Sequence, residues 1–209
     1  MRPDTGLILL EPIQGEGGVN PASGEFLAAA RTLADELGAL LVLDEVQTGV
    51  GRTGTFFAFE QLGVRPDAVT LAKGLANGLP IGCLLVADDA AGAFAPGDHA
   101  STFGGNPVAS AAACAVCDTI TEALLADVLE KGRLLVERLG ELPGVTQTRG
   151  RGLLVGAEVS RPAAEIVAAC LERKLLVSSA GERVLRLTPP LTVTRDEIEL
   201  ALELLGEAL

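Results

Sequence analysis

Gly6 to Glu11, Ala39 to Asp44 and Asp67 to Lys73 are short runs in which apolar and polar residues scarcely alternate, and each closes on a charged side chain. A strand with one wet face alternates. A strand without alternation has to be covered on both faces, which places it inside a parallel sheet flanked by crossover helices. Ile81 to Ala87 reads as a fourth strand of this kind. Between the first two runs, Asn20-Pro21 predicts an N-cap followed by proline at the first helical position. Phe26, Ala30, Leu33, Ala34 and Leu37 supply that helix with an apolar stripe, and Gly38 ends it. Strands interleaved with helices in this way predict an α/β fold.

Beyond a second Asn-Pro start at Asn106-Pro107, an Ala-rich helix leads into a helical register through Val128, Leu129, Gly132, Leu135, Val136 and Leu139. The text then changes character. Gly144 to Thr148, Leu153 to Val159, Leu175 to Ser178 and Val184 to Leu187 are strand-like pieces separated by two helices, the last opened by the capping box Thr194-Arg-Asp-Glu197. The expected organisation is a mostly parallel α/β sheet over residues 1–125 and a small α+β domain over 126–209. The first strand comes so early that the chain reads as beginning in mid-domain.

Charge and composition exclude several classes of function. With 16 Lys+Arg against 28 Asp+Glu, the net charge of -12 repels phosphate backbones and anionic lipid, so neither nucleic acid nor a membrane is an expected partner. No apolar run approaches the ~18 residues of a membrane helix, and the first residues lack a signal-peptide core; a soluble cytoplasmic protein is expected. Cys83, Cys114, Cys117 and Cys170 stand among Ala, Val and Leu and read as small core hydrophobes. Cys114-x-x-Cys117 has no second Cys pair to complete a metal set, and His99 is the chain's only histidine, so no metal is expected. Gly49-Val-Gly51-Arg-Thr-Gly54 satisfies G-x-G-x-x-G, yet no evident helix follows it and no acid ends a strand about 20 residues on, which argues against a dinucleotide site.

Ligands of open α/β sheets bind beyond the carboxyl ends of the strands, so the polar residues there come first: Glu11 to Glu16, Asp44 to Gln47, and Lys73. A carboxylate and an amine at one sheet edge would equally make a simple salt bridge. The surrounding text is more specific. Leu-Leu-Glu-Pro-Ile-Gln-Gly-Glu16-Gly-Gly, Leu-Asp44-Glu-Val-Gln47-Thr-Gly-Val-Gly-Arg-Thr-Gly54, Val-Thr-Leu-Ala-Lys73-Gly-Leu-Ala-Asn-Gly, Ala-Ser101-Thr102-Phe-Gly-Gly-Asn-Pro107 and Leu-Arg186-Leu-Thr-Pro-Pro, in this order, resemble the class III pyridoxal-phosphate aminotransferases of fold type I.

The resemblance implies a cofactor, pyridoxal 5'-phosphate, whose aldehyde condenses with amines and whose protonated ring draws off electrons. It implies that Lys73 bears the cofactor and, once displaced by substrate, moves the proton as general base. Asp44 would face the ring nitrogen, Val46 would pack on the ring, and Gln47 would bond near the ring hydroxyl; Glu45 belongs to the same cofactor-binding stretch. Thr102 is assigned to the cofactor phosphate of a neighbouring subunit, which makes the expected protein a homodimer with shared sites, and Ser101 to the substrate; a hydroxyl that only caps the following helix is the alternative. Arg186 would clamp the substrate α-carboxylate, with Glu16 as its partner during the ω-amine half-reaction. The expected reaction transfers an ω-amino group, with N2-acetylornithine and 2-oxoglutarate as substrates favoured over ornithine, 4-aminobutyrate or another ω-amino acid. The chain corresponds to the C-terminal half of such an enzyme, the other half supplying the main phosphate-binding turn, a ring-stacking aromatic and a second substrate arginine. A non-catalytic fragment or assembly module is the remaining alternative.

Overall fold

In chain order, a computed structural model of the protein has strands β1 (Leu7–Leu10), β2 (Ile13–Gln14) and β3 (Asn20–Pro21), then helix α1 (Gly24–Leu37) and strands β4 (Leu40–Asp44), β5 (Ala68–Leu71) and β6 (Cys83–Val86). Helices α2 (Pro107–Thr119) and α3 (Glu122–Gly140) follow, then β7 (Val145–Arg151), β8 (Leu154–Val159), α4 (Ala163–Glu172), β9 (Ser178–Ser179), β10 (Val184–Leu187) and α5 (Arg195–Ala208). The structure describes residues 2–209; Met1, which opens the expected 1–125 domain, lies outside the described residues. The chain divides into two units, the first made of residues 2–12, 22–50 and 55–121, the second of 13–21, 51–54 and 122–209.

The first unit is built on a four-stranded sheet in the order β1-β4-β5-β6. β1, β4 and β5 run parallel; β6 returns antiparallel to β5. Leu41, Val42 and Leu43 of β4 and Ala68, Val69 and Leu71 of β5 are buried, as strands without alternation require. The outer two strands depart from that expectation. Leu7 and Leu9 of β1 and Leu84 and Leu85 of β6 are about half exposed, because these strands edge the described sheet and one of their faces has no layer against it.

α1 starts later than the sequence suggests. Asn20 and Pro21 are not its cap: they pair antiparallel with Gln14 and Ile13 as strand β3, and Ser23 caps the helix by accepting the Phe26 N–H at 3.1 Å. The buried stripe shifts with the start, to Leu27, Ala30 and Ala34, and leaves Phe26 exposed. Gly38 ends α1 as expected, in the left-handed region at φ 64°, its N–H donating to Ala34 and Asp35. At the far end of this unit Asn106 caps α2, accepting the Ala109 N–H at 3.0 Å. The cysteines are less uniform than expected. Cys170 is buried and Cys83 half-buried, but Cys114 and Cys117 are exposed, since α2 packs through Ala113, Val116 and Ile120 instead.

The second unit is an antiparallel sheet in the order β7-β8-β10-β9. One face of it carries α3, α4 and α5 over a core that includes Leu135, Val155, Ile166, Leu185, Leu187 and Leu205. On the other face lies the β2–β3 hairpin, whose Ile13 and Val19 are buried with Leu154, Ala180 and Val184. Gly156 of β8 admits this hairpin, because a Cβ there would sit 2.8 Å from Val19 Cβ. The Gly51–Gly54 segment is also built into this unit. Arg52 donates from Nη1 to the carbonyls of Leu153 (3.0 Å) and Pro189 (2.6 Å), and a Cβ on Gly54 would collide with Leu129. Gly54 of the apparent dinucleotide motif thus serves close packing, and burial pulls the Arg52 pKa down to about 10. Among the described residues, no single helix is long and apolar enough to cross a membrane.

Candidate active site

The parallel register pairs Asp44 at the end of β4 with Thr70 of β5, and β5 stops one residue later at Leu71. Asp44 and Lys73 therefore stand at the carboxyl ends of neighbouring strands, which in a sheet run roughly 4.8 Å apart. The half-buried Asp44 carboxylate is oriented by the Val46 N–H, which donates to its Oδ1 at 2.9 Å. Lys73 opens a single turn of 3-10 helix, is exposed, and has φ 33°. A side chain bearing a Cβ is rarely held in that region, and such strain persists where neighbouring structure imposes it, most often at functional positions. The buried Thr70 hydroxyl, on the Asp44 register, makes no hydrogen bond.

Glu45 follows Asp44 but faces inward. Only 1% exposed, its carboxylate accepts from Thr48 Oγ1 (2.6 Å), Ala58 N (2.9 Å) and Phe59 N (3.0 Å). Its oxygens hold the 58–61 turn. The Glu45–Val50 turn it opens is tight, since a Cβ on Gly49 would lie 2.6 Å from Leu71 Cδ2. Burial pushes the Glu45 carboxyl above its ordinary range against the pull of the three donors.

A raised folded-state pKa means that its contribution to stability is full below the ordinary carboxylate range and is lost as pH rises through the folded value. Glu45→Gln replaces one accepting oxygen by an NH2 that faces a donor, so we expect a loss of about 1–3 kcal/mol. The gap between wild type and variant in denaturant unfolding should narrow as pH rises above the ordinary carboxylate range. A gap that widens over that range would reverse the sign assigned to Glu45.

Val46 and Gln47 are half-buried in the same turn, while Ser101 and Thr102 are exposed in the bend before α2. Because Asn106 does the capping, neither hydroxyl is needed for it.

The second unit brings two more of the expected residues together. Arg186 Nη1 donates to Glu16 Oε1 at 2.6 Å, and its Nε to Ser178 Oγ at 3.3 Å across the β9–β10 pairing. The two ends of the ion pair differ: the Arg186 side chain is 15% exposed and that of Glu16 71%. A pair with one solvated partner is worth little, ~0–1 kcal/mol, so a second carboxylate can displace Glu16 from the guanidinium cheaply. Ser178 was beyond the reach of sequence reasoning, since only strand pairing sets it beside Arg186. Among the described residues no group of three or more His, Cys, Asp or Glu side chains is disposed to hold a metal ion.

Within the first unit an oriented carboxylate and an exposed amine end neighbouring strands, and within the second a guanidinium is paired with a solvated carboxylate. The model of the family described as Aminotransferase class-III matches residues 1–209. The chain belongs to the class-III aminotransferases. An acetylornithine aminotransferase of Corynebacterium efficiens is 50% identical over 207 residues, which are 99% of this chain and 52% of that protein. Among solved structures, the N-acetylornithine aminotransferase of Stenotrophomonas maltophilia superposes with TM-score 0.88 at 40% identity, covering 99% of this chain and 56% of that one. The ornithine aminotransferase of Toxoplasma gondii, described with partial occupancy of PLP at the active site, gives 0.89 at 36% identity over 99% of this chain and 51% of that one. This class-III aminotransferase chain thus spans about half the length of the relatives it matches.

Proposed function

We propose that this chain is the catalytic C-terminal half of a pyridoxal-phosphate aminotransferase that moves an ω-amino group, with N2-acetylornithine and 2-oxoglutarate giving N-acetylglutamate semialdehyde and glutamate. The observation that carries the reading is the juxtaposition of Asp44 and Lys73 on neighbouring strand ends, with Lys73 held at φ 33°. When bound, the cofactor supplies an aldehyde and a ring that accepts the electrons of a broken C–H bond. Lys73 carries it and then moves the proton; Asp44 keeps the ring nitrogen protonated. Val46 would pack on the ring, Gln47 would bond to its hydroxyl, and Thr102 would bind the phosphate of the partner subunit's cofactor. Arg186 holds the substrate carboxylate, Glu16 masks Arg186 in the ω-amine half-reaction, and Ser101 contacts substrate.

In this reading residues 1–125 are part of a fold type I large domain and residues 126–209 the small α+β domain. A cytoplasmic homodimer fits this reading, and Phe103, 82% exposed beside Thr102, is an apolar group such an interface would cover. Among the solved structures, the 40% identity to an acetylornithine enzyme against 36% to an ornithine enzyme, together with the 50% identity to the Corynebacterium efficiens acetylornithine enzyme, favours the acetylated donor.

Borohydride reduction of the cofactor-loaded protein, followed by peptide mapping, should find the cofactor on Lys73. Label on Lys131 or Lys174, the only other lysines, sinks the assignment; no label on any lysine favours the non-catalytic module. In the complete enzyme Asp44→Asn should retain the cofactor and lose transamination by roughly 10²–10³-fold, as loss of a preorganised charge does elsewhere. Single-turnover kinetics within a few-fold of wild type would remove Asp44 from that role.

A further inference from the structure

Glu16 sits at the tip of the β2–β3 hairpin, and the backbone around it is pinned at three successive residues. Asn20 Nδ2 donates to the Gly17 carbonyl at 2.7 Å. Arg149 Nε donates to the Gly18 carbonyl at 2.9 Å. Val19, fully buried at φ 53°, is locked against Gly156 and the Ile13 cluster. Arg149 is itself held. Its Nη1 pairs with Glu158 at 2.9 Å and reaches Gln147 at 3.2 Å, and its side chain is only 18% exposed. Gly18, at φ 110°, leaves the guanidinium just enough room, since a Cβ there would be 3.4 Å from Nη2.

A loop so fixed cannot withdraw Glu16 as a body. The Glu16 side chain, in contrast, is mostly in water, while Arg186 is held by Ser178. We propose that Arg149 is a positioning residue for substrate choice: it fixes the hairpin so that Glu16 lies over Arg186, and the clamp opens by rotation of the Glu16 side chain alone. The occupant that displaces Glu16 is a carboxylate of the amino- or oxo-acid substrate. This inference rests on the proposed roles of Glu16 and Arg186 and adds a residue that touches neither the substrate nor the cofactor.

The masking follows a two-state equilibrium, in which the apparent affinity for a carboxylate falls with the fraction of Arg186 that is free. The test measures binding of 2-oxoglutarate to the complete, cofactor-loaded protein by calorimetry, where the oxo-acid has no amino group to accept. Glu16→Ala should tighten binding by about two- to sixfold and Arg149→Gln by a smaller factor, the second because a loosened hairpin covers Arg186 for less of the time. In a Glu16→Ala background Arg149→Gln should add nothing, since its effect passes through Glu16. A merely structural role for Arg149 would still be felt there.

Arg149→Lys keeps a cation for Glu158 without the Nε donor to Gly18, and serves if the glutamine variant does not fold; it should act in the same direction to a smaller extent. Unchanged affinity in both Arg149 variants, or a change that persists without Glu16, overturns the proposal while leaving Glu16 and Arg186 in their roles. Failure of the underlying reading looks different: Arg186→Ala would bind 2-oxoglutarate as wild type does, or Glu16→Ala would not tighten it.

Discussion

Lys73→Ala in the complete enzyme is expected to reduce transamination by ~10⁴-fold or more, because in the proposed reading one side chain supplies both the covalent anchor and the proton carrier. The remaining lysines cannot take over, since Lys131 is a nearly buried residue of α3 ion-paired to Asp127, and Lys174 follows α4 in the second unit. The backbone makes a second, separable expectation. Lys73 stands at φ 33°, where a residue with a Cβ carries strain of about 1–3 kcal/mol that glycine escapes. Against this, glycine loses more chain entropy on folding, about 0.5–1 kcal/mol. Lys73→Gly should therefore be as inactive as Lys73→Ala yet more stable than it by about 1 kcal/mol. Equal denaturant midpoints for the two variants would mean that no strain is stored at the strand end; appreciable turnover in either would remove Lys73 from the chemistry.

Arg186→Ala is the other large effect, and it is selective. The guanidinium is the fork that a substrate carboxylate matches, and the charge it meets becomes desolvated on binding, so the glutamate and 2-oxoglutarate half-reaction should lose roughly 2–5 kcal/mol, or about thirty- to several-thousand-fold in kcat/KM. The ω-amine half-reaction, during which Glu16 occupies Arg186 in the proposed reading, should lose far less. Glu16→Ala should act the opposite way, improving glutamate and weakening the ω-amine donor, because the 2.6 Å pair that masks Arg186 is gone. Rapid-mixing measurement of the two half-reactions, each variant separately, decides it. Equal losses in both half-reactions would leave an aminotransferase without its ground for an ω-amine donor.

The parts legible in the sequence were those whose information is local. Runs without alternation located β1, β4, β5 and β6; the capping box of Thr194 and Glu197 opened α5, and Asn106-Pro107 opened α2, because caps and propensities act within a turn of chain. The ordered motifs singled out Asp44 and Lys73, which the register sets on neighbouring strand ends, and Glu16 and Arg186, which pair. Where a local signal had a competitor distant in sequence, it misled. Asn20-Pro21 has the form of a helix start, but pairing with Ile13 and Gln14 and packing of Val19 on Gly156 outweigh one cap. Glu45 and Asp44 are adjacent in sequence and opposite in fate, since successive side chains point apart and only the donors of Thr48, Ala58 and Phe59 give a carboxylate reason to turn inward. The assignment of 13–21 and 51–54 to the unit that otherwise begins at 122, and with it the grip of Arg149 on Gly18 and of Arg52 on Pro189, rests on contacts more than a hundred residues apart. A local pattern specifies which conformation a segment favours alone. Which segment buries it, and which unpaired donor it satisfies, is settled when distant parts of the chain compete to leave water together.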